Sequence, residues 1–493
     1  MLFNSFGFVL LFLPLFFAAF YLAKRIEIKW NRLRGMRKLV VIAFSLVFYV
    51  PFGLKNCLVL AGSLLVNSIV SLCISRRRSG DGNAYNKNAL KLILCAGVLL
   101  NVGFLLLFKF SGLFFPVAIS FYTFNQISYI VDLYKGDIER FEFINYLAYV
   151  LFFPKILQGP LMGYGDFVKE LDKSVSSYDT IVDYEAILRG LFLLSIGLFK
   201  KVILADTFGR AVDFGYDNIM GLGSLEAILV AVFYSFQLYF DFSGYCNVAS
   251  AICMMLGMEL PVNFNSPYKA VNIVDFWKRW HITLTKFFTK YVYIPLGGNR
   301  KGAVRMYVNF MIVFLLSGLW HGNGWNFIVW GAMHGVLYVI TRMLNGNRSE
   351  GLAKRGLLDI TGHAVKVILT FTYVTVAWVF FRAKTVTDAF TLLARVFTGG
   401  SKRVATGISA CFQLDEIWYV LKVTPLMKLN YVWELCMWLF LILSAVIIFF
   451  TPNALEISKK CKVGVKTTLV TAFFLVWSIV SFVGVSTFLY MNF

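Results

Sequence analysis

Histidine, acidic side chains and paired cysteines are scarce in this chain of 493 residues. It has four histidines, and its 26 Asp and Glu face 47 Lys and Arg, which gives a formal net charge of +21. The eight cysteines form no CxxC pair and stand mostly within apolar runs, so the sequence predicts neither a metal site nor a disulfide framework. The sequence also has no Walker, HExxH or GxSxG pattern, which argues against nucleotide hydrolases, zinc peptidases and serine hydrolases, and we expect no bound cofactor.

Apolar residues are correspondingly abundant. Hydrophobic types make up 59% of the chain, with 51 Phe, 24 Tyr and 11 Trp, whereas soluble domains contain about 45–50%. Because a membrane helix needs about 20 mainly apolar residues, the sequence predicts an all-α polytopic membrane protein. We expect about 11–13 transmembrane helices, with re-entrant or interfacial helices among the shorter runs. The apolar stretches lie near residues 3–23, 37–54, 56–75, 90–109, 112–131, 141–160, 186–205, 224–241, 243–260, 303–320, 325–343, 364–382, 430–451 and 466–489.

The basic residues cluster at the ends of these apolar stretches. Seven lie between Lys24 and Lys38, and further groups are Arg76–Arg78, Arg342–Arg355 and Lys459–Lys462. This is the positive-inside pattern, which places these loops in the cytoplasm beside anionic lipid and argues against nucleic acid as a partner. Because Met1–Asn4 has no basic residue, we expect a retained first helix with its N-terminus outside rather than a cleaved signal.

Polar residues interrupt the apolar pattern between about residues 234 and 335. Polar groups survive at membrane depth only where protein or a water-filled cavity receives them, so this middle segment predicts a site within a helical shell. The two halves of the chain show no self-similarity, which weakens a transporter built on inverted repeats. We therefore predict one membrane-embedded domain over residues 1–493, with its catalytic middle at about 234–335.

Two motifs in this middle segment carry basic side chains. The segment Asp275–Tyr293 has apolar residues at helical spacing on one side and basic residues on the other, which predicts an amphipathic interfacial helix with Asp275 as its N-cap. This helix either anchors the chain or lines the entrance for an anionic donor. The run Gly297–Lys301 that follows it is either a plain cytoplasmic turn or a cradle for phosphate.

His321 stands at the end of an apolar stretch, between Trp320 and Gly322. An ionisable side chain near membrane depth is a functional candidate, and imidazole is suited to proton transfer near neutral pH. The residue pattern leaves two interpretations open: a structural histidine that donates to a carbonyl, or a general base for a hydroxyl nucleophile. His334 is 13 residues away, a spacing that offers no ready pair of metal ligands.

The order of the motifs resembles the membrane-bound O-acyltransferase (MBOAT) family, and most closely its bacterial branch of alginate O-acetyltransferases and teichoic acid D-alanyl transfer proteins. The stretches that carry the likeness are Gln237–Tyr245, Asn263–Tyr268, Asp275–His281, Tyr291–Lys301 and Gly318–Gly322 with Trp325. Weaker echoes are Met1–Ser5, Ser120–Phe124, Gln158–Pro160, Phe380–Ala383 and Phe488–Tyr490. One departure is Cys246-Asn247, where relatives commonly carry Ser-Asp.

The resemblance implies helices around a central funnel, with His321 as the catalytic histidine at its neck and His281 in a supporting position. It also implies that Asp241 and Tyr245 shape the core. We assign these two residues to the path of the substrate or donor, together with eight others: Trp277, Lys278, Arg279, Trp280, Asn299, Arg300, Trp320 and Trp325. We expect an oxyanion to be stabilised by the indole of Trp320 or Trp325, or by backbone N–H groups around Gly322.

The function implied is an O-acyltransferase of the bacterial cytoplasmic (inner) membrane. It would move an acyl group, expected to be acetyl, from a cytoplasmic thioester to a hydroxyl of an extracytoplasmic polysaccharide or relay protein. Acetyl-CoA is the expected donor, a carrier-protein thioester is its alternative, and an extracytoplasmic SGNH-type acetyltransferase is an expected partner. The alternative functions are D-alanyl transfer to teichoic acid from a carrier protein, and a transporter or scaffold for polysaccharide export.

Overall fold

A computed structural model describes residues 1–78, 87–112, 114–176, 181–345, 357–400, 403–482 and 488–489. These residues form helices joined by turns, without a strand among them, which confirms the predicted all-α class. Part of the basic group Arg342–Arg355 and the motif residue Tyr490 lie outside the described residues.

Eight of the described helices are long and apolar enough to cross a membrane, so the chain is a multi-pass membrane protein. They are Gly7–Lys29, Leu54–Arg78, Lys87–Phe110, Ser224–Met255, Ala303–His321, Trp325–Leu344, Thr361–Arg382 and Val432–Phe450. Large apolar side chains such as Leu65 and Leu99 are exposed on them, as expected where lipid is the solvent.

The chain forms two compact units, and the first comprises Met1–Phe199, Tyr245–Pro261 and Ile457–Phe493. It begins with a π-helical turn, Gly7–Phe12, and its core is rich in aromatic rings such as the contacting pair Phe12 and Phe153, whose centroids are 5.2 Å apart. The first nine α-helices are α1 (Leu13–Lys29), α2 (Met36–Tyr49), α3 (Leu54–Arg78), α4 (Lys87–Phe110), α5 (Ile119–Lys135), α6 (Phe143–Leu151), α7 (Phe153–Ile156), α8 (Tyr164–Ser176) and α9 (Tyr184–Phe199). Single 3₁₀ turns occur at Asn31–Leu33 and Val50–Phe52.

The second unit comprises Lys200–Gly244 and Val262–Glu456. The remaining α-helices are α10 (Asp206–Asp217), α11 (Ser224–Met255), α12 (Ile273–Arg279), α13 (Ile282–Phe288), α14 (Ala303–His321), α15 (Trp325–Asn345), α16 (Leu357–Arg382), α17 (Val386–Thr398), α18 (Thr406–Ala410), α19 (Asp415–Lys422), α20 (Val432–Phe450), α21 (Ala454–Lys460) and α22 (Val465–Val480). Of these, α22 belongs to the first unit, and α11 and α21 contribute residues to both units. Two π-helical segments are Lys200–Ala205 and Thr289–Tyr293, and 3₁₀ turns occur at Ile219–Gly221, Pro267–Lys269 and Pro425–Lys428.

Eight long apolar helices are fewer than the 11–13 spans that we expected. One reason is that α11 runs unbroken through the two stretches predicted at 224–241 and 243–260, because most of this helix is buried and packing sustains it. The stretch predicted at 141–160 instead divides at Phe152 into two short helices. Pro154 lies in the first turn of α7, where its missing N–H is tolerated, and it cannot continue the ladder of α6.

The single amphipathic helix predicted over Asp275–Tyr293 is also divided. Helix α12 ends before His281, whose backbone has the left-handed φ of 43°, and α13 starts after it. Asp275 is not the N-cap, because the cap is Asn272, whose Oδ1 accepts from the backbone N–H of Asp275 at 2.8 Å. The Asp275 carboxylate instead accepts from Nε of Arg279 at 2.8 Å.

Candidate active site

His321 is the last residue of α14, and its side chain is only 4% exposed. Three aromatic rings surround it: the ring centroids of Trp320, Trp330 and Phe381 lie 4.5, 5.2 and 4.9 Å from that of the imidazole. The C-terminus of α14 therefore delivers a titratable ring into an aromatic environment, as expected for a side chain with a specific role at membrane depth.

Two glycines let α14 and α15 approach closely enough to bring His321 and Trp330 together. A Cβ atom on Gly318 would lie 2.4 Å from the carbonyl oxygen of Phe327, and one on Gly331 would lie 2.6 Å from that of Phe314. Since both obstacles are backbone atoms that cannot rotate away, only glycine permits this crossing.

Asn326, near the start of α15, fixes the end of α16 beside this site. Its Nδ2 donates to the carbonyl oxygens of Phe380 at 3.2 Å and Ala383 at 2.9 Å. These carbonyls belong to the last turn of α16 and the residue after it, where intrahelical partners run out. The side chain of Asn326 thereby sets the position of the neighbouring Phe381 ring against His321.

His281 lies in the turn between α12 and α13 and is held by Asn263. The carbonyl oxygen of Asn263 accepts from the N–H of Ile282 at 3.0 Å. Its side-chain Oδ1 accepts from the backbone N–H of Thr283 at 3.2 Å and from Oγ1 of Thr283 at 2.9 Å, and lies 3.1 Å from Nδ1 of His281. Burial lowers the pKa of the His281 imidazole to about 3, so the ring is neutral near pH 7.

A continuous series of aromatic contacts links the surroundings of the two histidines. The His281 ring meets Phe264, and Phe264 meets Trp280 with centroids 5.0 Å apart. The series continues from Trp280 to Trp378 at 5.0 Å, from Trp378 to Trp330 at 5.7 Å and then to His321. Packed aromatic rings of this kind exclude water and keep the local dielectric low.

Asp241, on α11, is buried in an ion-pair cluster with Lys201 and Asp206. Its Oδ1 lies 2.8 Å from Nζ of Lys201, which is also 2.8 Å from Oδ1 of Asp206. Burial opposes the charge on Lys201, but the two carboxylates outweigh it and raise the pKa of this lysine. Tyr245 belongs to the first unit, where its hydroxyl donates to the Pro154 carbonyl at 3.3 Å.

The six donor-path residues between Trp277 and Arg300 differ in their surroundings. Trp277 and Trp280 are buried in the aromatic cluster, while Lys278 is exposed and Arg279 is paired with Asp275. Asn299 and Arg300 are exposed on the turn before α14. The turn itself is tied to that helix by Asn309, whose Nδ2 donates to the Gly298 carbonyl at 3.0 Å.

The three expected hydrogen-bond donors to the oxyanion also differ in their surroundings. The N–H of Gly322 already donates to the Gly318 carbonyl at 3.3 Å, and Trp325 is 78% exposed. Trp320 is the expected donor that lies directly against His321.

Sequence reasoning missed four residues of the aromatic environment: Trp330, His334, Trp378 and Phe381. A signal was present for two of them, because Trp330 and His334 are four residues apart and so share one face of α15. Phe381 lay in a motif that we treated as a weak echo.

Comparison with known proteins places the chain among membrane acyltransferases. The model of the MBOAT, membrane-bound O-acyltransferase, family matches residues 134–373. The chain is 36% identical over 436 residues to the peptidoglycan O-acetyltransferase of Helicobacter pylori, covering 80% of this chain and 79% of the relative. It is 32% identical over 424 residues to the probable alginate O-acetylase of Pseudomonas aeruginosa, covering 81% and 76%.

The chain is also similar, at lower identity, to a teichoic acid D-alanyltransferase. It is 28% identical over 329 residues to the teichoic acid D-alanyltransferase of Lacticaseibacillus rhamnosus, covering 60% of this chain and 78% of that protein. The acetyltransferases thus match more of the chain at higher identity. Together with the helical membrane fold and the matching central segment, these similarities establish that the chain is a membrane O-acyltransferase and belongs to the membrane-bound O-acyltransferase family.

Proposed function

We propose that this protein transfers an acetyl group from cytoplasmic acetyl-CoA to a hydroxyl of an extracytoplasmic polysaccharide or of a relay protein. The observation that carries the proposal is the burial of His321 among aromatic rings at the end of α14. The names of the two acetyltransferase relatives supply the acyl group and the polymer class. A bacterial cytoplasmic membrane with anionic lipids is the proposed setting, because basic loops favour the cytoplasmic side.

His321 is the proposed general base. The acceptor hydroxyl loses its proton to the imidazole while its oxygen attacks the carbonyl carbon of the thioester, which forms a tetrahedral oxyanion. The carbon–sulfur bond then breaks, the imidazolium returns the proton to the departing sulfur, and the products are an acetyl ester and CoA thiol. General-base help of this kind contributes about 10²–10⁴-fold to the rate.

Two other side chains support this step in the proposal. The indole N–H of Trp320, whose ring adjoins His321, is assigned to the oxyanion, since a positioned donor acts where charge develops. His281 is assigned a supporting role on the donor side, and its neutral ring can accept a hydrogen bond without repelling a proton from His321.

Purified full-length protein in detergent tests the proposal directly. It is incubated with acetyl-CoA labelled in the acetyl group and with peptidoglycan fragments or alginate oligosaccharides, with and without an extracytoplasmic SGNH-type acetyltransferase. The proposal expects polymer-bound label that mild alkali releases as acetate, because esters are alkali-labile and amides are not. Transfer only when the SGNH-type protein is added would identify that protein as the relay.

A parallel incubation with a D-alanyl thioester on a carrier protein separates the two acyl groups. We expect acetyl-CoA to be used and the D-alanyl carrier not to be. Alkali-labile label from the D-alanyl carrier alone would replace acetyl transfer with D-alanylation, and label from neither donor would favour a transporter or scaffold.

A further inference from the structure

His334 is a fully buried histidine on α15 whose two ring nitrogens lack a hydrogen-bond partner among the described residues. The proposed mechanism does not use it. Buried polar atoms are nearly always satisfied in native proteins, so an imidazole with both nitrogens unmet calls for an explanation.

Two tryptophans beside His334 share this property. The ring centroids of Trp277 and Trp330 lie 5.1 and 5.0 Å from that of His334, and 6.0 Å from each other. Within the part of the chain that the structure describes, neither indole N–H has an acceptor, although both atoms are buried. The three rings therefore form one contacting group whose four ring nitrogens all lack a partner among the described residues; we call it the His334 group.

The chemistry of the His334 group selects its occupant. A neutral imidazole offers one N–H donor and one acceptor, and each indole offers one N–H donor and no acceptor. The group therefore presents three donors against one acceptor. The complementary occupant is rich in acceptors, as a carbonyl oxygen is, and carries few donors.

The position of the group along the helix pair suggests where such a carbonyl comes from. Trp330 contacts both His321 and His334, so the group shares a wall with the proposed base. His334 also packs on Phe314 of α14, which precedes His321 by two helical turns, or roughly 10 Å. The His334 group thus lies between His321 and the basic turn before α14.

Helix α14 carries a further buried acceptor, Oδ1 of Asn309, closer to that turn. Asn309 is fully buried, and its Oδ1 has no hydrogen-bond partner within the described ranges, whereas its Nδ2 binds the Gly298 carbonyl. Polar atoms without partners among the described residues therefore occur at two levels along α14 between the basic turn and His321: at Asn309, and at the His334 group beside Phe314.

We infer that the His334 group binds an amide carbonyl of the acyl donor, the one that lies nearest to the thioester in a pantetheine arm. This inference rests on the proposed function, because it takes the thioester carbon to be at His321 and the rest of the arm to extend toward the basic turn. His334, Trp277 and Trp330 are then residues that recognise the donor, and they take no part in proton transfer.

Two short donors isolate this contact. S-acetyl-N-acetylcysteamine keeps the amide next to the thioester, whereas ethyl thioacetate keeps the thioester and lacks the amide. With the wild-type protein and one fixed acceptor, we expect kcat/KM to favour the amide-bearing donor by about tenfold or more, since one buried hydrogen bond is worth about that factor. In H334F and W277F this preference should fall toward one, because kcat/KM for the amide-bearing donor drops further than kcat/KM for ethyl thioacetate.

Matched variants separate recognition from folding. H334Q retains a donor and an acceptor and should keep part of the preference that H334F loses. W418F makes the same Trp→Phe change on α19, outside the site, and should leave the preference at the wild-type value. If H334F fails to fold in detergent, W277F carries the test, because it deletes one N–H and keeps an aromatic ring.

The outcomes of these assays test the donor site and the proposed function separately. An active wild-type protein that uses both short donors equally, or keeps its preference in both H334F and W277F, overturns the donor site and leaves water or a packing role for the group. A wild-type protein that is inactive even with acetyl-CoA overturns the proposed function and the donor site with it.

Discussion

The Nδ1 atom of His281 lies 3.1 Å from Oδ1 of Asn263, and this contact fixes the tautomer of the histidine. The same Oδ1 accepts from the backbone N–H of Thr283, a group that can only donate, so the Asn263 atom is the oxygen. Nδ1 of His281 must then carry the hydrogen, and Nε2 of the neutral ring carries the lone pair. Asn263 therefore orients His281 as an acceptor, although the two residues are 18 positions apart.

Asn263 should control both the stability and the pH response of the site. N263A leaves the buried N–H groups of Thr283 and His281 without their acceptor, which costs about 1–3 kcal/mol for each unsatisfied group, and it should lower acyl transfer.

N263D keeps the acceptor but adds a charge that raises the pKa of His281, so kcat/KM should decline on the acidic side between pH 5 and 8. The exposed Asn265 gives the control N265D, and coincident pH profiles of N263D and the wild type would contradict the role of Asn263.

The neutral His281 should make folding stability depend on pH. Its pKa falls from 6.5 to about 3 on burial, so the unfolded chain binds more protons than the folded one between those values. The contribution of the neutral His281 ring to the free energy of unfolding is complete above pH 6.5. It is lost as the pH falls, and the loss reaches roughly 3 kcal/mol at pH 4. The unfolding temperature in detergent should therefore drop less between pH 7 and pH 4 in H281N than in the wild type. Equal drops in the two proteins would show that His281 is not the group responsible.

The close crossing of α14 and α15 should tolerate no side chain at its centre. G331A places a methyl group against the carbonyl oxygen of Phe314, so the helices must separate, and we expect a loss of about 1–3 kcal/mol together with most of the activity. G362A is the control, because nothing lies within 4 Å of a Cβ there, and alanine favours a helix over glycine. Normal thermal stability and full activity of G331A would refute the close approach.

Asp241 should act on stability rather than on chemistry. D241N leaves Lys201 buried with Asp206 as its remaining carboxylate, and removal of one partner from a buried ion pair costs about 3–5 kcal/mol. The exposed pair of Asp217 and Lys384 provides the control D217N, expected to change stability by about 1 kcal/mol or less. Thermal unfolding measures both effects, and the folded fraction of D241N should keep its kcat. A fall in kcat without a fall in stability would instead place Asp241 in the reaction.

Local patterns predicted the helical membrane class, because runs of apolar residues long enough to span a bilayer have few other uses. They also singled out His321, the only one of the four histidines that lies between a tryptophan and a glycine. The break at His281 could not be predicted, since it depends on hydrogen bonds that the backbone N–H groups of Ile282 and Thr283 donate to Asn263, a residue outside the local pattern.

The aromatic surroundings of His321 show the same limit of local reasoning. Sequence proximity favoured Trp325, which is exposed, over Trp330, which packs on the imidazole. Because α15 packs back along α14, Trp330 rather than Trp325 reaches the imidazole. This close crossing depends on Gly318 and Gly331. Phe381 arrives from 60 residues away through the hydrogen bonds of Asn326.

Acetyl transfer by H321A, compared with that of H363A, tests the central claim most directly. His363 lies on α16 and is partly exposed, so its substitution controls for the loss of a histidine from a membrane helix. With equal amounts of folded protein in detergent, labelled acetyl-CoA and one polymer acceptor, H321A should lose at least about a hundredfold in kcat, the lower bound of general-base help, while H363A keeps the wild-type rate. Wild-type transfer by correctly folded H321A would contradict the assignment of His321 as the proton acceptor.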